Sequence, residues 1–293
     1  MTRKWKNAVA AAAMFAGGAA VAVGPAWADP DAKPATAEKA ADKTDAEKAE
    51  AAIPAKPEHV GDKLDKVIDA YVKSIQDDQQ LDAAAREKLL GLISAQRVDA
   101  DLRTTTITDV LAATNADFQA ALMALAEEDM PKGIAALEEL AKSENKFLAA
   151  DAAFFLARAH MMEERAEAAA PLLEKLAGEQ TDYTLYAGEA QYLLGAAQAA
   201  QLERDKAISS FEKFLKDNPD SPERMRVNAI RLVEELKTLK EGSLVDVYDR
   251  MGFSRRKLQI EDSGNRTRKE QDNIIAMLDV LIKEAEDKEG CGT

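Results

Sequence analysis

Three segments of the chain align with one another without a gap, and this internal periodicity restricts the fold more than any other feature. Gly133, Leu137 and Leu140 in the first segment correspond to Ala169, Leu173 and Leu176 in the second and to Ala207, Phe211 and Phe214 in the third, at offsets of 36 and 38 residues. A small residue followed by large apolar ones four and seven positions later gives a helix a stripe that docks closely against a neighbour. Another helical stretch precedes each segment, over residues 113–128, 150–164 and 185–202. The repeating unit is therefore an antiparallel helical hairpin. The flanks are helical as well: Leu64, Val67, Ile68, Tyr71, Val72 and Ile75 share one face, and Leu89, Leu90, Leu92 and Ile93 belong to a second helix. A 46% apolar share rich in alanine, with only 5% aromatic residues, agrees with an all-α chain.

The third unit resembles the tetratricopeptide repeat, with Leu194 and Gly195 at consensus positions 7 and 8, Ala207 at 20, Phe211 at 24 and Pro219 at 32. Small residues at 8 and 20 let the two helices of a hairpin approach, and the large residue at 24 fills the gap between them. The second unit keeps Leu156, Ala157, Ala169 and Leu173, and the first keeps Gly133 and Leu137. The resemblance implies a right-handed superhelical stack of hairpins, a tetratricopeptide-like solenoid, with flanking N- and C-terminal helices. It also implies a concave groove that holds a segment of another protein. Phe118, Phe154 and Tyr192 fall at repeat position 5, with Arg158 and Glu189 at positions 9 and 2, which in the family line that groove. A slip of one residue would place the three aromatics at position 4, inside the hairpins, and the sequence leaves both registers open. The carboxylate clamp of chaperone-binding members has no counterpart here.

The first residues read as an address rather than as fold. Arg3, Lys4 and Lys6 precede an uncharged stretch over residues 8–23, and Ala26, Trp27 and Ala28 form an A-x-A cleavage site. We therefore expect residues 1–28 to be a secretory signal peptide, since 16 residues of Ala-rich sequence fall short of the ~20 needed to span a bilayer. Cleavage would place the protein in the periplasm or outside the cell, with no stable membrane insertion. It would also remove both tryptophans, Trp5 and Trp27, and deepen the net charge from −14 to −17. Residues 29–60 carry four of the nine prolines among Ala, Lys and Glu, and read as a flexible linker. The rest divides into an N-terminal helical segment over 61–110, three hairpins over 111–220, and C-terminal capping helices with a basic loop over 221–290.

Net acidity argues against a general nucleic-acid binder, which needs cations to neutralise phosphate. One cysteine, Cys291, and two histidines, His59 and His160, leave no set for a disulfide framework or a Cys/His zinc site, and no cofactor is expected. No nucleophile elbow, metalloprotease helix or phosphate-binding loop is present. His160, alone on a helix, reads as a packing or solvent-facing residue. One segment reverses the acidity: Arg250, Arg255, Arg256, Lys257, Arg266, Arg268 and Lys269 stand against Glu261 and Asp262, a local +5. Such a patch could receive an acidic partner, or lie over the protein's own acidic surface. Capping-box spacings at Ser243/Asp246 and Thr267/Glu270 place helices near 244–254 and 268–287. Ile274, Leu278, Leu281 and Ala285 then form a stripe expected to pack on the hairpins of a monomer rather than in a homodimer coiled coil. The expected function is a non-enzymatic scaffold or adaptor that binds a protein or peptide partner in the cell envelope. The alternative is a structural protein that self-associates through its last helix.

Overall fold

The structure is a computed structural model and describes residues 60–99 and 102–290. The expected signal peptide over 1–28 and the expected linker up to residue 59, with His59 and Cys291, lie outside the described residues. Among the described residues every regular element is helical. The order is α1 Val60–Asp77, α2 Ala83–Arg97, a short 3₁₀ turn Arg103–Thr105, α3 Thr106–Thr114, α4 Ala116–Ala126, α5 Met130–Leu140, α6 Lys146–Met162 and α7 Ala166–Gly178. A second 3₁₀ turn, Thr181–Tyr183, leads to α8 Ala187–Ala200, α9 Arg204–Asp217, α10 Glu223–Thr238, α11 Leu244–Gln259 and α12 Asn265–Gly290.

The periodic middle is built from α4–α5, α6–α7 and α8–α9, each helix packing on the one before and the one after it, with α10 packed on α9. The same turn joins the two helices of every hairpin. Glu128, Glu164 and Leu202 each take a left-handed conformation, at φ 63°, 57° and 60°. In each case the next amide donates back across the helix end: Asp129 N to Ala124 O at 2.9 Å, Arg165 N to His160 O at 2.8 Å and Glu203 N to Gln198 O at 2.9 Å. This is the Schellman arrangement, which satisfies carbonyls left open at a helix C-terminus. Helix starts are set by side chains: Asn115 Oδ1 accepts from Phe118 N, Asp129 Oδ1 from Lys132 N, and Asn145 Oδ1 from Phe147 N and Leu148 N.

Close approach inside the hairpins depends on small residues. A Cβ at Gly195 would lie 2.9 Å from the Phe211 ring, and one at Gly133 would lie 2.4 Å from the Leu125 side chain. Ala157, Ala169 and Ala207 are fully buried at the equivalent contacts. Phe118, Phe154, Phe155, Phe211 and Phe214 fill the interior with no exposed surface. Removing each from water stabilises the fold by about 2–3 kcal/mol.

The N-terminal helices fold onto this middle. Val67, Ile68, Tyr71 and Ile75 form the buried face of α1, which packs on α2, α3 and the second 3₁₀ turn. Arg97 and Arg103 both bind Asp65, at 3.0 and 2.5 Å, and so tie the end of α2 and the first 3₁₀ turn to α1. Helix α3 is buried on all sides from Thr106 to Ala112 and contacts α1, α2, α4 and α6. A helix in that position is core whatever its sequence reads as.

At the other end, Ser243 caps α11 by accepting from Asp246 N, while Asp246 Oδ2 accepts from Gly242 N. Pro222 occupies the N-cap of α10, and no side chain caps that end. One expected start is corrected. Helix α12 begins at Asn265, so Thr267 is not its cap, and its buried hydroxyl donates to Asp262 O. Helix α12 packs chiefly on α11 rather than on the hairpins, burying Ile274 and half-burying Leu278 and Leu281.

Candidate functional site

A buried polar cluster marks where α3 meets the hairpins. Asp151, on α6, is fully buried, and its Oδ2 accepts from Thr108 Oγ1 of α3 at 2.5 Å. Thr108 Oγ1 also lies 2.9 Å from the Tyr186 hydroxyl, which sits just before α8. Next to it on α3, Asp109 accepts from Gln96 Nε2 of α2 at 2.9 Å and from Thr105 Oγ1 at 3.2 Å. Burial pushes the Asp151 carboxyl up to about 7, with the Thr108 bond opposing it and neighbouring Asp109 adding to it. Burial likewise pushes Asp109 to about 6, against the bonds from Thr105 and Gln96. Tyr71 of α1 and Tyr186 are both held above the usual phenol range, first by burial and then by Asp151. Asp151 Oδ1 has no hydrogen-bond partner, so this side chain is suited to the neutral acid at low pH.

The expected aromatic ladder divides. Phe118 and Phe154 are core residues, and Phe154 stacks flat on Tyr186 at a centroid distance of 4.1 Å. Helix α3 packs on both helices that carry them, α4 and α6. Arg158 is also buried, with its guanidinium 5.7 Å from the Phe154 ring and 3.9 Å from Glu189. Burial raises the Glu189 carboxyl, while Arg158 and then Arg224 draw it back down. His160 is buried too, its pKa lowered first by burial and next by Arg165.

Tyr192 alone of the three aromatics faces an opening. It lines a groove of about 1180 Å³ whose walls are α1, the segment entering α8, the end of α9 and the first turns of α10. Leu64, Val67, Leu185 and Met225 supply its apolar surface. A polar line runs along one wall, where Arg231 Nη2 donates to Asn228 Oδ1 at 2.8 Å and Asn228 Nδ2 donates to the Tyr192 hydroxyl at 2.5 Å. The charges nearly balance, with Lys63, Lys66, Lys213, Arg224 and Arg231 set against Asp182, Glu189, Asp217 and Asp220. Sequence reasoning missed the contribution of α10, although Arg224, Asn228 and Arg231 recur at steps of four and three. It also missed α1 as a wall, because a long-range contact leaves no local trace.

The basic segment is largely engaged with the protein itself. Arg250 binds Asp246 at 2.8 Å and Glu270 at 2.6 Å, and Lys257 binds Glu167 at 2.9 Å and Asp262 at 3.0 Å. Arg255 binds Glu164 in the α6–α7 turn at 2.7 Å. Arg256 donates to Ala200 O, the last carbonyl of α8, and Arg266 to Gln201 O of its C-cap, each at 2.6 Å. Cations at a helix C-terminus are favoured by the helix dipole and by the open carbonyls there. Arg268 and Lys269 are exposed.

Among the described residues, no cluster of three or more His, Cys, Asp or Glu side chains is arranged to hold a metal ion. None of the described helices is long and apolar enough to cross a membrane. Comparison with known proteins returned no matching family model, no matching curated protein and no matching solved structure.

Proposed function

We propose that this protein is a non-enzymatic adaptor of the tetratricopeptide type, working in the cell envelope, and that it holds an extended segment of a partner protein. The groove lined by Tyr192, Asn228 and Met225 carries this reading. At about 1180 Å³ it exceeds the roughly 300–1,000 Å³ of a small-molecule site, and its mixture of apolar walls and side-chain amides suits a peptide. Apolar burial would supply the affinity, and the near-balanced charges would tune choice and on-rate. The repeated Schellman turn, the close contact of Gly195 with Phe211 and the buried Ala157, Ala169 and Ala207 support the likeness to tetratricopeptide hairpins. The N-terminal signal pattern supports export. In this reading α1 and α3 cover the face of α4 and α6 that a partner would otherwise occupy, so the partner is confined to the end bounded by α8 and α10.

Site-specific photo-crosslinking in cells tests the proposal. Crosslinkers at Met225 and Leu185 are expected to yield one shared protein adduct, absent from a crosslinker at exposed Lys216 and lost when Tyr192 and Asn228 are changed to Ala. Equal adducts from all three positions, or none from the groove, would remove it.

A further inference from the structure

Two buried carboxyls lie where the N-terminal helices meet the hairpins, and among the described residues neither is paired with a cation. Asp151 of α6 is fully buried; its Oδ2 accepts one hydrogen bond, from Thr108 of α3, and its Oδ1 accepts none. Asp109, beside Thr108 on α3, is also buried and accepts from Gln96 of α2 and from Thr105. A carboxylate taken out of water needs several donors or a cation to hold its charge, and Asp151 has a single hydroxyl. The surroundings supply nothing more. Tyr71 of α1 and Tyr186 before α8 are the ionisable groups on those sides, and Asp151 raises both. Of the other elements packed on α6, α4 carries Asp117, α5 carries Lys132, Glu138 and Glu139, and the second 3₁₀ turn carries Asp182, all exposed. Helix α7 carries exposed Glu174 and Lys175, and its Glu167 is bound to Lys257. On α6 itself Lys146 is held by Tyr183, Arg158 faces Glu189 and Phe154, and His160 answers to Arg165 and Glu138.

The backbone between the two parts narrows to one residue. Helix α3 ends at Thr114 and α4 starts at Ala116, and Asn115 between them is extended at φ −119° and ψ 107°. Its side chain accepts from Phe118 N, so the start of α4 stays capped if the chain turns at that point. On the other side of Asn115 the helices are tied to one another, by Arg97 and Arg103 on Asp65 of α1 and by Gln96 on Asp109. We propose that this junction is a proton-operated joint: neutral carboxyls keep α1, α2 and α3 docked on the hairpins, and their ionisation lets the three helices swing out as one unit about Asn115. Burial raises Asp151 from 3.8 to about 7 and Asp109 from 3.8 to about 6, so the docked state keeps protons that the open state has released. Docking is therefore strongest below about pH 4 and weakens as pH rises through 6 and 7. Between pH 5 and pH 8 the ceiling on the opening equilibrium is roughly a hundredfold from Asp151 and roughly tenfold from Asp109. Each opening also takes the α1 wall off the groove, so a bound segment would leave faster at alkaline pH. That consequence rests on the groove reading; the joint does not.

Hydrogen exchange read by mass spectrometry on the purified full chain, without a partner, tests the joint at pH 5 and pH 8. After correction for the intrinsic pH dependence of amide exchange, the amides of α1 and α3 are expected to open about tenfold or more often at pH 8, with those of α7 and α9 unchanged. Asp151→Asn is expected to remove most of that difference, and Asp109→Asn a smaller part. Equal protection of α1 and α3 at both pH values overturns the joint, and this wild-type result needs no variant to fold. A rise shared equally by α7 and α9, or one that persists in Asp151→Asn, overturns it as well. Because the free chain is measured, a groove that captures no partner leaves the joint standing, and a joint that fails leaves the groove.

Discussion

Replacing Asp151 with asparagine is expected to stabilise the protein at alkaline pH and to flatten its dependence on pH. The carboxyl moves from an ordinary value of 3.8 to about 7 because it is buried between α3, α6 and Tyr186. Between those values the folded chain holds a proton that the unfolded chain has released. Stability therefore falls as pH rises from about 4 to about 7, and above that the full cost of a buried carboxylate remains. The move from 3.8 to about 7 sets a ceiling of about 4 kcal/mol, and relaxation around the charge brings the expected effect to about 2–3 kcal/mol. The asparagine amide keeps an acceptor for Thr108 and carries no charge. Urea unfolding followed by circular dichroism at pH 5 and pH 8 measures the difference between the two proteins. At pH 5 they are expected to agree within about 1 kcal/mol, and at pH 8 the variant is expected to be the more stable. Comparing the proteins at each pH largely removes the general self-repulsion of an acidic chain, since the two differ by one formal charge in a net −14. A wild type and variant with the same slope against pH would refute the reasoning, as would a variant less stable at pH 8.

Three further outcomes follow from the packing. Glu128→Gly relieves a left-handed backbone at φ 63° and is expected to raise stability by about 0.5–1 kcal/mol in thermal or urea melts, after allowing for the looser unfolded chain. Gly195→Ala places a methyl group 2.9 Å from the Phe211 ring and is expected to cost about 1–3 kcal/mol, whereas Gly91→Ala, with nothing within 4 Å, is expected to be neutral or stabilising. Changing Arg256 and Arg266 together to Gln removes two bonds to the end of α8. That is expected to destabilise the docking of the α11–α12 hairpin by about 1–2 kcal/mol, read as faster amide exchange in α11 with the middle hairpins unchanged.

The repeat made the hairpins legible because it is local: each small-to-large stripe states which face of a helix is buried, and α4 to α9 lie where the three segments place them. The register of the aromatics was not legible. One residue separates a groove position from a core position, and the burial of Phe118 and Phe154 depends on α3, which arrives from outside the repeat. Helix α3 itself was hidden because Thr106, Thr108 and Asp109 read as surface residues, and their partners stand up to 78 residues away. The pairing of Arg255 with Glu164 spans 91 residues and is likewise silent in composition, which shows only that the two charges exist. Thr267 imitated a capping box because its spacing to Glu270 is right, yet the chain enters the helix two residues earlier.

Helix α1 belongs to two structures at once. Its Lys66 and Ala70 border the groove, while its Ile68 and Tyr71 seal the core over α3. Occupancy of the groove and opening of the core are therefore linked equilibria. A ligand present at a hundred times its dissociation constant would add about 2.7 kcal/mol against any opening that displaces α1. The amides of α3, which such a ligand never touches, would then report its binding by exchanging about a hundredfold more slowly.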